Sequence, residues 1–130
     1  MSTHPPLLLA LLSLIVSGSV MAMSPCPASG RVASGDRALV IGIGSYAAGD
    51  SLRLSGPAGD RRKMQALLVD DLGYAAEQVC VLADEQATLA GMQTAIQDWL
   101  IAQSTPGARV FLYFSGHGDQ VSGGGPELFD

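Results

Sequence analysis

The sequence predicts an α/β fold with a mostly parallel sheet, in the order β-α-β-α-β. Three short apolar runs, rich in β-branched or aromatic residues, predict buried strands at residues 37–43, 78–82 and 109–114. Two longer segments with apolar residues spaced three or four positions apart lie between them and predict helices. Strands that alternate with helices in this way pair in parallel through right-handed crossovers.

The two helices have recognisable boundaries. The first is predicted over residues 58–69, with Asp60 in its first turn, where free N–H groups and the helix dipole favour a carboxylate. The second is predicted to begin after Thr88, a good N-cap residue, and to run to Gln103, before a Pro-Gly break. The basic triplet at residues 61–63 predicts a solvated face of the first helix.

The length and net charge of the chain limit the number of domains and the classes of binding partner that it can have. The chain has 130 residues and a formal net charge of -5, which fits one small domain. An acidic chain with no long run of Lys or Arg gives no support to nucleic-acid binding.

The amino-terminal segment predicts a signal peptide. Residues 7–16 are almost entirely apolar but are too few to span a bilayer, which takes about 20 residues. Residues 20–22 resemble a small-x-Ala cleavage site, so we expect cleavage after Ala22, export to the periplasm or the medium, and no membrane association afterwards. The segment before the apolar run has no Lys or Arg, and an uncleaved anchor is the alternative. Residues 23–36 are rich in Pro, Ser and Gly and predict a linker before a domain at 37–130.

The only two cysteines are Cys26 and Cys80. In an oxidising compartment they could pair. Cys80, however, lies inside an apolar strand and predicts a buried, inert thiol, whereas Cys26 lies in the predicted linker. We therefore expect two free thiols.

His117 is the main candidate for chemistry. The third predicted strand ends abruptly at Ser-Gly-His-Gly, and the glycines on both sides of His117 allow a sharp turn and a close approach to a ligand. An imidazole would then stand at the carboxyl end of a parallel strand, where open α/β sheets place their ligands. The alternative is a His in a Gly-rich loop without a functional role.

Several segments, in this order, resemble the caspase/metacaspase superfamily of cysteine peptidases, in particular its bacterial caspase-like members. The matching segments are residues 37–43, 54–60, 71–74, 81–84, 87–88 and 114–118. The resemblance covers about residues 37–120. It implies a caspase-like three-layer sandwich, of which this chain would form the first half.

The resemblance also implies catalytic roles. His117 matches the catalytic His that works with a cysteine nucleophile, because the thiolate attacks the carbonyl carbon and the imidazole protonates the leaving amine. Gly118 matches the residue whose backbone N–H helps to bind the oxyanion.

Other matched positions concern specificity for a peptide or protein substrate. Asp60 and Ser115 match residues that line the specificity pocket of metacaspases, where a carboxylate pairs with Arg or Lys of the substrate. Leu54 lies where animal caspases carry an Arg that binds substrate Asp, so it favours basic over acidic specificity. Arg53 is one position away, and a one-residue shift of the alignment would weaken this inference.

The sequence departs from the family's pattern at the nucleophile. In caspases this cysteine lies about 50 residues after the His. Cys26 precedes the first strand and Cys80 lies within the second, so neither substitutes. We expect the 130 residues alone to be inactive and truncated, with the activity residing in a parent protein. No cofactor or metal site is predicted within the chain. A second pocket carboxylate and any calcium-binding aspartates of the parent protein would lie downstream.

Three alternatives stay open. Residues 42–47 formally match the Gly-x-Gly-x-x-Ala dinucleotide fingerprint, but a loop follows instead of a helix, and Asp84 lies about twice the usual 20 residues on. A serine hydrolase using Ser115 lacks the Gly-x-Ser-x-Gly elbow and would place Ser115 and His117 in one loop. The third alternative is an inactive, truncated caspase-like module that binds proteins, for example by strand addition. The oligomeric state is not predicted.

Overall fold

The computed structural model describes residues 26–27 and 35–119, and in these ranges it contains a three-stranded parallel sheet. The strands are β1 (Arg37–Gly42), β2 (Val79–Ala83) and β3 (Val110–Ser115), in the spatial order β2-β1-β3. The predicted strands and their parallel pairing are therefore confirmed.

Two helical segments connect the strands. Helix α1 (Gly56–Ala66) is prolonged by a π-type turn (Leu67–Asp71), and helix α2 (Leu89–Thr94) is prolonged by a π-type segment (Ala95–Ile101). Short 3-10 turns are found at Asp50–Leu52, Ala76–Gln78 and Asp84–Gln86.

The helix boundaries differ slightly from the predicted ones. Thr88 is the N-cap of α2, as predicted, and its hydroxyl accepts from the Gly91 N–H at 3.0 Å. Helix α1 starts at Gly56, with Pro57 in its first turn, a position where the missing N–H costs nothing. The predicted place of Asp60 in the first turn is therefore wrong, and its carboxylate has another partner, described below.

The helical segments cover opposite faces of the sheet, which gives three layers. Alternate residues of β1 point to opposite sides. Leu39 and Ile41 pack in a cluster with Trp99 of the α2 extension, whereas Ala38 and Val40 pack with Leu68 of the α1 extension. This arrangement confirms the first half of a caspase-like sandwich.

The amino-terminal end of the sheet is closed by an ion pair. The Arg109 guanidinium donates to Asp36 Oδ2 at 2.8 and 2.9 Å, and the Arg109 backbone N–H donates to Asp36 Oδ1 at 2.8 Å. Asp36 is buried. The last residue of the predicted linker therefore contributes its carboxylate to the fold.

Strand β3 is less buried than predicted. It lies at an edge of the sheet, and Val110, Leu112 and Phe114 are 54%, 53% and 48% exposed. Phe111 and Tyr113, on its other face, pack against the cluster that contains Leu68. The prediction of a strand buried on both faces is wrong for one face, because no described residue covers it.

Cys26 and Cys80 form a disulfide. The expectation of free thiols is therefore wrong. Cys80 is buried, as predicted, but Cys26 is buried beside it in the cluster around Trp99. The bond ties a residue of the predicted linker to strand β2.

The predicted signal peptide and most of the linker lie outside the described residues. Among the residues that are described, no helix has the length and apolar character needed to cross a membrane.

Candidate active site at the carboxyl edge of the sheet

The three strands end level with one another, and the candidate residues follow these ends. Gly42, the last residue of β1, is paired with Ala83 of β2 and with Ser115 of β3. Asp84 and His117 therefore come to the same edge as the loop between β1 and α1. This is the edge at which open α/β sheets bind ligands.

His117 is held at this edge by two hydrogen bonds to the loop between β1 and α1. Its backbone N–H donates to the Tyr46 hydroxyl at 2.7 Å, and its ring Nε2 lies 2.8 Å from the Leu52 carbonyl oxygen. The Tyr46 ring flanks the imidazole, with the ring centroids 5.1 Å apart and the planes tilted by 54°. The imidazole is exposed, so it is open to a reactant.

The Leu52 contact sets the tautomer of the neutral ring. A carbonyl oxygen only accepts hydrogen bonds, so Nε2 must carry the proton. In the neutral ring Nδ1 is then the basic nitrogen. His117 is thus arranged as a proton acceptor through Nδ1.

Asp60 and Ser115 are brought together. The Ser115 hydroxyl donates to Asp60 Oδ2 at 2.7 Å, between the end of β3 and helix α1, and both residues are half-buried. Within the described ranges no Lys or Arg forms an ion pair with Asp60. A carboxylate without an internal cation is suited to receive one from a ligand.

The remaining predicted positions lie nearby. Gly118 is exposed, and a Cβ on it would meet nothing within 4 Å, so the backbone faces open space. Leu54 and Arg53 both line a cavity of about 470 Å³ that also reaches Asp84. The exposed guanidinium of Arg53 pairs with Asp50 at 3.2 Å.

Asp84 organises the loop after β1. Its Oδ1 accepts from the backbone N–H groups of Gly44 and Ser45 at 2.8 and 2.9 Å, and its Oδ2 lies 3.4 Å from Arg61. The hydrogen bond from Ser45, followed by that from Gly44, lowers the pKa of the Asp84 carboxyl below its ordinary value.

The predicted solvated face at residues 61–63 is wrong for Arg61. Its guanidinium turns inward and donates to the Gly42 carbonyl at 2.8 Å, so this member of the basic triplet does not lie on a solvated face. A Cβ on Gly42 would lie 2.3 Å from Arg61 Cγ, which explains why a glycine ends the strand.

These contacts argue against two alternatives. The N–H groups of Gly44 and Ser45, which a dinucleotide phosphate would need, are occupied by a carboxylate, and helix α1 begins only at Gly56. The Ser115 hydroxyl donates to Asp60, not to His117, so Ser115 and His117 do not form a hydrogen-bonded pair. The part of the chain that is described holds no cluster of three or more His, Cys, Asp or Glu able to bind a metal.

The fold and this edge define the class: a three-layer α/β protein with an acid–base group at the carboxyl ends of its strands. Sequence comparison then gives the family. The profile of the caspase domain family matches residues 36–129, and the chain belongs to this family of cysteine peptidases.

Curated relatives are metacaspases from fungi. The chain is 36% identical over 91 residues to metacaspase-1A of Neurospora crassa, covering 65% of this chain and 19% of the relative. It is 33% identical over 91 residues to metacaspase-1 of Saccharomyces cerevisiae, covering 65% and 20%. The chain thus spans about a fifth of the length of these relatives. No solved structure matches it.

Sequence reasoning missed Asp84, which organises the loop after β1, and the two groups of that loop that hold His117. Asp84 was detectable, because it directly follows a strand and belongs to a segment that resembles the family. Tyr46 lies in the run that mimics a dinucleotide fingerprint, and nothing in the sequence places it beside a residue 71 positions later. The Leu52 carbonyl belongs to the backbone, so its role has no signal in residue type.

Proposed function

We propose that this chain is the part of a caspase/metacaspase-type cysteine endopeptidase that carries the catalytic His, and that the parent protein cleaves peptide bonds after Arg or Lys. The observation that carries the proposal is the exposed His117 imidazole, whose Nε2–H is fixed by the Leu52 carbonyl. Membership of the caspase domain family supports it.

In the proposed reaction, His117 Nδ1 takes the proton from a cysteine thiol, and the thiolate adds to the scissile carbonyl carbon. The backbone N–H of Gly118 donates to the resulting oxyanion, a contribution of about 3 kcal/mol to lowering the barrier. The C–N bond then breaks as the imidazolium protonates the leaving amine. Water, deprotonated by His117, hydrolyses the thioester and restores the thiol.

The nucleophile is assigned to another part of the parent protein. Both cysteines of this chain are joined in the disulfide, so neither offers a thiolate. In the family the nucleophile lies about 50 residues after the His. Calcium-binding residues, if the parent protein has them, are assigned to the same downstream part, and no other cofactor is proposed.

Specificity for basic residues is proposed from Asp60. Its carboxylate has a hydroxyl partner, Ser115, and no cation from the described ranges, so it is suited to bind a substrate guanidinium or ammonium. Leu54 adds no positive charge to the cavity it lines, and Asp50 pairs with the Arg53 guanidinium. An acidic substrate side chain would find no unpaired Arg at these two positions.

Export is proposed from the amino-terminal sequence. Disulfides persist in oxidising compartments, so the bond between Cys26 and Cys80 supports a periplasmic or secreted protein. A peptide or protein is the proposed partner, as in other peptidases.

The experiment is a peptidase assay on the longest natural protein that contains this chain. Fluorogenic peptides ending in Arg, Lys or Asp are compared for the wild-type protein and for His117→Ala. We expect cleavage after Arg and Lys only, lowered by at least about a hundredfold in the variant. Activity on Arg peptides that His117→Ala leaves unchanged would refute the proposal.

A second candidate is a binding module, favoured by the exposed face of β3. If this candidate is correct, the parent protein hydrolyses none of these peptides. It binds a partner protein instead, and Leu112→Lys abolishes that binding.

A further inference from the structure

We infer that Tyr46 is a positioning residue for His117. The Tyr46 hydroxyl accepts the His117 backbone N–H at 2.7 Å, across 71 residues of sequence, and its ring flanks the imidazole at 5.1 Å. The inference rests on the proposed function for its catalytic consequence. Its structural part, the control of the His117 ring, stands independently.

The hydrogen bond acts where His117 has little other support. The residue is exposed, and its side chain has one further described hydrogen bond, to the Leu52 carbonyl. Both partners lie in the loop between β1 and α1. Fixing the His117 N–H therefore fixes the position from which the side chain starts, so that Nε2 stays on the Leu52 carbonyl. Among the described residues, Nδ1 has no hydrogen-bond partner.

The same bond orients the next peptide group. The N–H of Gly118 is the proposed oxyanion donor and lies one residue beyond the N–H that Tyr46 holds. Oxyanion stabilisation depends on donors whose direction is set before the reaction. One hydroxyl thus constrains both the proposed base and the proposed donor.

Gly116 makes room for this hydroxyl. A Cβ on Gly116 would lie 2.8 Å from the Tyr46 oxygen and 3.0 Å from Phe114 Cζ. These distances are too short for ordinary contact, so an alanine there would push the hydroxyl away from the His117 loop. The glycine before the His therefore serves the Tyr46 contact as well as the turn.

The backbone of the loop around Tyr46 is itself fixed by hydrogen bonds. Asp84 Oδ1 fixes the N–H groups of Gly44 and Ser45, the Gly44 carbonyl accepts from Leu54 N–H at 2.8 Å, and the Tyr46 carbonyl accepts from Gly49 N–H at 3.1 Å. The loop is thus tied to the end of β2 immediately before Tyr46, which keeps the hydroxyl within reach of β3.

The test compares Tyr46→Phe, which removes only the hydroxyl, with Tyr46→Leu, which also removes the ring. Tyr113→Phe is the matched control, because Tyr113 packs on the other side of the sheet, in the cluster around Leu68. The ring nitrogen signals of His117 are recorded by NMR on the parent protein. Assignment uses His117→Ala, and kcat and KM are measured on the parent protein.

We expect Tyr46→Phe to reduce the preference for the Nε2-protonated tautomer and to lower kcat about threefold to tenfold with little change in KM. Tyr46→Leu has the larger effect, and Tyr113→Phe matches the wild type. Ring signals that Tyr46→Phe leaves unchanged would overturn the inference, as would an altered tautomer with unchanged kcat. An inactive parent protein would instead contradict the proposed function, and the NMR result would then decide the structural inference alone.

Discussion

At the scale of single residues, the carboxyl edge depends on carboxylates with different partners. Asp84 uses Oδ1 for two backbone N–H groups and Oδ2 for Arg61, so its charge serves the loop after β1. Among the described residues, Asp60 has one hydroxyl partner, Ser115, and no cation. Because their partners differ, we assign Asp84 a structural role and propose Asp60 as the residue that determines specificity.

The lowered pKa of Asp84 predicts a pH dependence of stability. A carboxyl with a depressed pKa in the folded state stabilises the fold above about pH 5, and this contribution is lost as the pH falls through the folded-state pKa. Urea unfolding at pH 6 and pH 3 should therefore show a smaller loss of unfolding free energy for Asp84→Asn than for the wild type. Asp70→Asn, at an exposed carboxylate, is the control. Equal losses in all three proteins would contradict the role of Asp84.

A substitution of Asp60 tests the specificity pocket in the parent protein. Asp60→Asn keeps an oxygen for the Ser115 hydroxyl but removes the charge, so kcat/KM for Arg peptides should fall about tenfold to a hundredfold. The unfolding free energy should change by less than about 1 kcal/mol. Asp70→Asn again serves as the control, and an unchanged kcat/KM for Asp60→Asn would exclude the pocket role.

At the scale of secondary-structure elements, the sequence predicted the strands and helices because their apolar periods are strong. The start of α1 was placed two residues late, since Pro57 and the preceding loop carry no apolar period. The role of Arg61 was missed because its inward turn depends on the glycine at the end of β1. His117 was predicted from its Gly-flanked strand end and from the family resemblance, and Asp60 and Ser115 from the resemblance. The partners of His117, Tyr46 and the Leu52 carbonyl, depend on how distant loops meet.

The disulfide could not be predicted from two cysteines 54 residues apart, because pairing depends on how the segment before β1 packs.

The disulfide has a measurable effect on stability. Closing a loop of this length restricts the unfolded chain and contributes up to about 4 kcal/mol in the chain-entropy description. Replacing both Cys26 and Cys80 with Ser should lower the unfolding free energy toward that amount. A reducing agent should destabilise the wild type and leave the double variant unchanged. Equal stability of the two proteins would show that the bond does not constrain the chain.

At the scale of the whole molecule, the sheet is covered unevenly. Helical layers lie on both sides of β1, whereas the outer face of β3 exposes Val110, Leu112 and Phe114. Exposed apolar strands at a sheet edge favour association with other chains. The described residues thus combine a hydrogen-bonded candidate site with an edge strand whose exposed apolar face favours association.

This uneven cover predicts self-association of the 130-residue chain. Leu112→Lys should shift the chain toward monomer in sedimentation velocity without loss of helix signal, because it places a charge on the exposed face. Leu89→Lys is the matched control, since Leu89 is 70% exposed and belongs to α2, not to β3. A wild-type chain that stays monomeric at high concentration would contradict this prediction.

The central claim is that His117 activates a cysteine elsewhere in the parent protein. It is tested most directly with a thiol-reactive peptide inhibitor that carries Arg at the reacting position, followed by mass spectrometry of the labelled protein. We predict one adduct, on a cysteine other than Cys26 and Cys80, and its loss in His117→Ala. Equal labelling of the wild type and His117→Ala, or no cysteine adduct in the wild type, would contradict the claim.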